Sequence, residues 1–127
     1  MLDRYSTHQT LPFEKLSPTD FERLSYWLIE ANKFENIYHL GGANDNGQDI
    51  VAELNNKTHA FQCKRTKTFS FTHAEKEIKK ILTNVHPKPD FLIFITNAKV
   101  SINTIEKSQK LWGDKSCQFW SGIELDY

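Results

Sequence analysis

Apolar side chains recur along this chain at two periods, and the points where the period changes divide it into elements. Phe21, Leu24 and Leu28 stand at helical spacing. They follow Ser17-Pro18-Thr19-Asp20, which predicts a helix start: Ser17 as N-cap, Pro18 at the first position where no N–H is needed, and Asp20 near the positive end of the dipole. Residues 1–16 show no clear period and include Pro12, so they read as a lead-in segment. Residues 37–40 form a short apolar strand that enters a polar loop containing Gly41, Gly42 and Gly47, residues that allow tight or positive-φ turns.

Two alternating stretches follow, around residues 49–54 and 60–64. Successive strand side chains point to opposite faces, so Asp49, Val51 and Glu53 share one face while Ile50, Ala52 and Leu54 share the other. In the second stretch Ala60, Gln62 and Lys64 share a face, and Phe61 and Cys63 point away. A hairpin turning at Asn56-Lys57, or over residues 55–58, makes paired residue numbers sum to an odd total. That register sets Asp49 directly opposite Lys64, with Gln62 as its diagonal neighbour. An odd-length turn would instead set Asp49 against Cys63 and send one apolar set to the wrong side of the sheet.

Beyond Arg65 the pattern becomes helix, strand, helix, strand. Thr72-His73-Ala74-Glu75 fits a capping box with Thr72 as N-cap. The helix it opens turns Ala74, Ile78, Ile81 and Val85 inward and Lys76, Lys79 and Lys80 outward. Pro87 and Pro89 end it. Phe91-Leu92-Ile93-Phe94-Ile95-Thr96 is an unbroken apolar run, as expected for a strand covered on both faces. Ser101 caps a helix through Ile102, Ile105 and Leu111, which Gly113 stops; residues 116–120 form the last strand. The right-handed crossover rule makes the later strands parallel. The whole reads as one α/β domain over residues 1–127, a mixed sheet of about five strands flanked by helices.

Composition narrows the partners. The 127 residues suffice for one core. Sixteen basic and sixteen acidic residues balance to a net charge of zero, so attraction to nucleic acid must be local. Cys63 and Cys117 lack zinc-site spacing. Without a signal peptide or a long apolar run, the expectation is a cytoplasmic chain with reduced thiols and no membrane association. The three Trp, four Tyr and nine Phe fall mostly at core positions.

The chemistry concentrates between residues 41 and 65. A carboxylate at Asp49 and an amide oxygen at Gln62 are hard oxygen ligands suited to Mg²⁺. Lys64 could orient or deprotonate a metal-bound water, or hold a phosphate oxygen. Glu22 falls beside the first helix's apolar stripe, where it either serves the site or is a solvated acid. Asp45 either caps the loop or joins the site. Lys64, Arg65, Lys67, Lys76, Lys79 and Lys80 offer a basic face to a DNA backbone, although a solvated helix face explains Lys79 and Lys80 equally well. His73, alone near a helix start, suits capping better than metal binding. A phosphate-binding P-loop is excluded because no Lys-Ser/Thr follows the glycines and a strand comes next. An EF-hand fails because its first ligand would be Gly42.

The order Gly41-Gly42, Asp45, Gly47, Asp49-Ile50, then Gln62-Cys63-Lys64 resembles the Mrr-like branch of the PD-(D/E)xK restriction-endonuclease superfamily, in which glutamine replaces the second acid. Phe21-Glu22-Arg23-Leu24 is similar to that family's first-helix motif. His73, Lys76 and Glu77, and later Trp120, Gly122, Glu124 and Leu125, are weaker matches. The resemblance spans about residues 15 to 127, with a catalytic core over about 17–125. It implies a restriction-endonuclease-like fold and Mg²⁺-dependent cleavage of DNA, with Mn²⁺ able to substitute. Asp49, Gln62 and Glu22 would be metal ligands, Lys64 the catalytic lysine, and Arg65, Lys67, His73 and Lys76 DNA contacts. It further implies a role in restriction or anti-phage defence, further domains in a longer chain, and self-association. Two rivals remain: a catalytically inactive nuclease-like module that binds DNA or mediates assembly, and a nucleotide hydrolase on an α/β sheet.

Overall fold

The computed structural model describes residues 18–40 and 49–122, with side chains described from residue 21 onward. Asp45, Ser17 and the glycines of the polar loop lie outside the described residues, as do Glu124 and Leu125. Eight elements follow in chain order: α1 (Pro18–Ala31), β1 (Glu35–His39), β2 (Ile50–Leu54), β3 (Lys57–Lys64), α2 (Phe71–Asn84), β4 (Phe91–Thr96), α3 (Ile102–Trp112) and β5 (Cys117–Trp120).

The five strands form one sheet in the order β1-β2-β3-β4-β5. β1, β2 and β3 pair antiparallel, whereas β3, β4 and β5 pair parallel. This is the expected mixed sheet. Two crossovers of one hand, each stepping the same way across the sheet, must lay their helices on the same face, and α2 and α3 pack together there. Ala74, Ile78 and Ile81 of α2 and Trp112 of α3 close over Ala60, Leu92, Phe94 and Cys117. On the other face Phe21 and Ile29 of α1 cover Ile50, Ala52, Phe61, Cys63, Ile93 and Ile95. β4 lies between two helical layers, and five of its six residues are buried, which accounts for its apolar run.

The alternation of β2 and β3 is as read from the sequence, but the register is not. Ile50 pairs with Phe61, Ala52 with His59 and Leu54 with Lys57. The turn is Asn55-Asn56, both at positive φ (54° and 63°). Two positive-φ central residues define the tight turn whose twist matches that of a hairpin, and asparagine tolerates that conformation. The ladder is therefore shifted by two residues from the expected one. Continued outward, it sets Asp49 level with Gln62 instead of Lys64. Parity survives because the shift is even.

α2 also begins earlier than expected. Ser70, not Thr72, is its N-cap, and His73 replaces Glu75 as the side chain reaching back: the Ser70 N–H donates to His73 Nδ1 at 3.0 Å. Starting the helix at Phe71 lets Phe69 bury itself against Phe94 (ring centroids 5.4 Å apart). A cap at Thr72 would leave that turn unwound. The ends of α3 follow the reading: the Ser101 hydroxyl accepts the Thr104 N–H at 3.1 Å, and Gly113 closes the helix at φ 129°. Its apolar stripe does not, since the buried residues are Thr104, Ser108 and Trp112 while Ile102 is exposed.

Candidate active site

The carboxyl end of β3 and the entry to β2 meet at one edge of the domain. Asp49 stands just before β2. Its N–H donates to the Phe61 carbonyl (2.9 Å), and its own carbonyl accepts the Leu40 N–H (2.6 Å). Asp49 Oδ2 accepts the backbone N–H of Cys63 at 2.8 Å. The residue is only 7% exposed. Its carboxylate is held inside the hairpin mouth by a backbone donor, a charge-assisted bond of the stronger kind.

Around Cys63 the site divides into two flanks. On the α1 side a cavity of about 230 Å³ is lined by Phe21, Glu22, Cys63, Lys64 and Arg65. There Glu22 Oε1 lies 3.1 Å from His39 Nε2, which ties α1 to the end of β1. Burial pushes the Cys63 thiol far above its ordinary range; a Ser25 hydrogen bond opposes this, and the charges of Asp49 and Glu22 add to it. Cys63 is therefore a protonated core thiol and no nucleophile. On the α2 side a smaller cavity, about 60 Å³, is lined by Gln62, Lys64, Phe69, His73, Lys76, Glu77 and Phe94. Lys64 alone lines both.

Gln62 Oε1 is buried and accepts no hydrogen bond among the described residues. A buried acceptor in that state costs about 1–3 kcal/mol, so its position calls for a donor or a cation. Because His73 Nδ1 is the acceptor of the Ser70 N–H, the ring proton sits on Nε2. His73 can therefore donate to an anion but has no lone pair there for a metal. Among the described residues no three His, Cys, Asp or Glu side chains converge as a metal-holding group; the available donor set mixes a carboxylate with an amide. Arg65 and Lys67 lie in the connection after β3. It is pinned to β4's end by the Thr66 N–H, which donates to Asn97 Oδ1 at 2.9 Å.

The structure thus brings Asp49, Glu22 and Lys64 around Cys63, and Gln62, Lys64, His73 and Lys76 around the second cavity. Gln62 and Glu22 line different cavities. His39 as the partner of Glu22 was missed, since a contact between residues 17 apart leaves no periodic trace. Ser70 was missed too, although Ser70-x-x-His73 is itself a cap-like spacing.

A mixed five-strand sheet with one helix on one face, two on the other, and an acid facing a Gln-x-Lys strand end defines a restriction-endonuclease-like α/β domain. The family model described as restriction endonuclease, the Mrr-type catalytic domain, matches residues 13–126. The chain belongs to that family, a nuclease family. Among solved structures, the crystal structure of a protein of unknown function, AF1548, superposes with a TM-score of 0.59 at 20% identity, covering 76% of this chain. That likeness supports the fold; this chain spans 55% of the length of that one. No curated protein matches the chain. Among the described residues no helix is long and apolar enough to cross a membrane.

Proposed function

We propose that this domain is a divalent-metal-dependent deoxyribonuclease that hydrolyses phosphodiester bonds at the mouth of the β2–β3 hairpin. The observation that carries the reading is the buried, hydrogen-bond-free Gln62 Oε1, level with the buried Asp49 and two residues before Lys64. An unsatisfied hard oxygen beside a carboxylate suits Mg²⁺, or Mn²⁺ in its place. When bound, such an ion lowers the pKa of a water and neutralises charge on the phosphate.

The chain's own groups have distinct tasks in this proposal. The Cys63 N–H fixes the rotamer of Asp49, so that this ligand is positioned before substrate arrives. Gln62 offers an oxygen without charge. Glu22 contributes a carboxylate from the α1 flank. Lys64, at the junction of both cavities, holds a phosphate oxygen or orients the attacking water. Arg65, Lys67 and Lys76 contact the DNA backbone, and His73 donates from Nε2 to a phosphate oxygen. On the family's analogy, the cleavage serves restriction or anti-phage defence in the cytoplasm, within a longer, self-associating chain.

A paired substitution tests the division between chemistry and attraction. Lys64→Ala should remove turnover while retaining most DNA affinity. Lys79→Ala alters a residue paired to Glu75 at 3.2 Å on the outer face of α2. It should leave turnover intact and reduce the salt dependence of binding by at most about one phosphate contact. Equal, modest losses in both variants would reduce Lys64 to a backbone contact and remove the catalytic assignment.

A further inference from the structure

We infer that Glu77 of α2 supplies a further carboxylate to the metal site, holding with Gln62 Oε1 a divalent cation of the Mg²⁺ class in the cavity between β3 and α2. The inference rests on the metal-dependent reading above and adds a ligand to it. Three observations converge. Glu77 lines the same cavity of about 60 Å³ as Gln62, a volume sufficient for an ion or one to two waters. Its side chain is only 13% exposed. Its Oε1, like Gln62 Oε1, is buried and accepts no hydrogen bond among the described residues; Lys80 Nζ stands at 3.6 Å, an ion pair without hydrogen-bond geometry.

Two buried acceptor oxygens on residues that line one small cavity call for a donor or a cation there. A glutamine in place of the second acid leaves the strand without the charge that usually holds the ion. Glu77 is the acidic residue lining this cavity, and it enters from the neighbouring helix. Lys64 and Lys76 line the same cavity, so without Glu77 its charge would favour anions alone. Among the residues lining this cavity the carboxylate is that of Glu77, so its contribution to cation binding is measurable.

The test is Mn²⁺ titrated into the DNA-free full chain, with bound metal read by electron paramagnetic resonance and stability by thermal unfolding in EDTA. Glu77→Gln should weaken Mn²⁺ binding about tenfold, in the range typical for loss of a supporting group at a metal site, with an unchanged or raised melting temperature in EDTA. The exposed control Glu75→Gln should change neither. The double variant Gln62→Glu with Glu77→Gln should recover binding, since it returns one carboxylate to the same cavity. Wild-type affinity in Glu77→Gln, with Asp49→Asn still losing metal, overturns the inference and spares the nuclease reading. Absence of Mn²⁺ binding by the wild type overturns both. A lowered melting temperature in EDTA with unchanged Mn²⁺ affinity makes Glu77 a structural partner of Lys80 or of the Gln62 amide, and overturns the inference as well. Should Glu77→Gln fail to fold, Gln62→Glu alone decides: facing Glu77, it must lower the melting temperature in EDTA and tighten Mn²⁺ binding. An unchanged melting temperature rules the pairing out.

Discussion

In the proposed reaction Gln62 is the residue on which the chemistry turns, because it offers a neutral amide oxygen where an acid would offer a charged one. Gln62→Leu keeps the bulk, removes the unsatisfied acceptor and should abolish cleavage at every Mg²⁺ concentration. Gln62→Glu should retain activity and shift the Mg²⁺ dependence to lower concentration. An active Leu variant, found by measuring cleavage against Mg²⁺ for all three proteins, would show that Gln62 is no ligand. Asp49 needs a gentler probe than alanine. Deleting its carboxylate also strands the Cys63 N–H, at a cost of about 1–3 kcal/mol. Asp49→Asn keeps an acceptor oxygen for that N–H while discarding the charge, so it should fold like the wild type and lose metal. That Asp49, Gln62 and Lys64 lie together at the hairpin mouth was legible in the sequence, because strand parity puts them on one face. The burial of Asp49 was not, because it depends on a backbone donor from a neighbouring strand.

At the scale of elements, every helix and strand was legible in the sequence, and the departures lie at the hairpin turn, the start of α2, the bounds of β1 and the buried face of α3. The hairpin register slipped by two because both turns read from the sequence, Asn56-Lys57 and residues 55–58, imply one register, whereas the chain turns at Asn55-Asn56, both at positive φ; parity does not distinguish the two registers. The start of α2 lies at Phe71, where Ser70 and His73 form the capping box and Phe69 packs on Phe94. The β3–β4 pair also carries a pH signature far from the site. His59 is 6% exposed and stacks on Phe91 at 4.3 Å, with an interplanar angle of 2°. Burial lowers its pKa from the ordinary 6.5, against the opposing pull of the Lys57 carbonyl and Asp90. The unfolded chain therefore takes up the proton first. The stability from neutral His59 is fully present above about pH 6.5 and is lost as pH falls through the lowered folded value. Thermal unfolding between pH 7.5 and 5 should show a melting temperature that declines on acidification, with a shallower decline in His59→Phe. Parallel curves for the two proteins would assign the decline to other groups.

For the whole molecule, one helix on one face and two on the other enclose β3 and β4, while the hairpin mouth and the end of β3 stay at the domain's edge. This is the arrangement expected of a site placed at strand ends on a fixed scaffold. Its net charge of zero removes any long-range pull toward DNA, so binding should depend on the local cluster of Lys64, Arg65, Lys67 and Lys76. The sheet covered on both faces was legible because a doubly covered strand and two crossover helices have strong sequence patterns. The split of the site into two flanks was not, since it depends on which helix each β3 side chain faces in three dimensions. The central claim is metal-dependent DNA hydrolysis by this site, and supercoiled plasmid tests it most directly. Incubated with the purified chain and Mg²⁺, plasmid should be nicked or linearised; with EDTA, or with Asp49→Asn in Mg²⁺, it should remain supercoiled. Cleavage that persists in EDTA, or in the Asp49→Asn protein at the wild-type rate, would contradict the account.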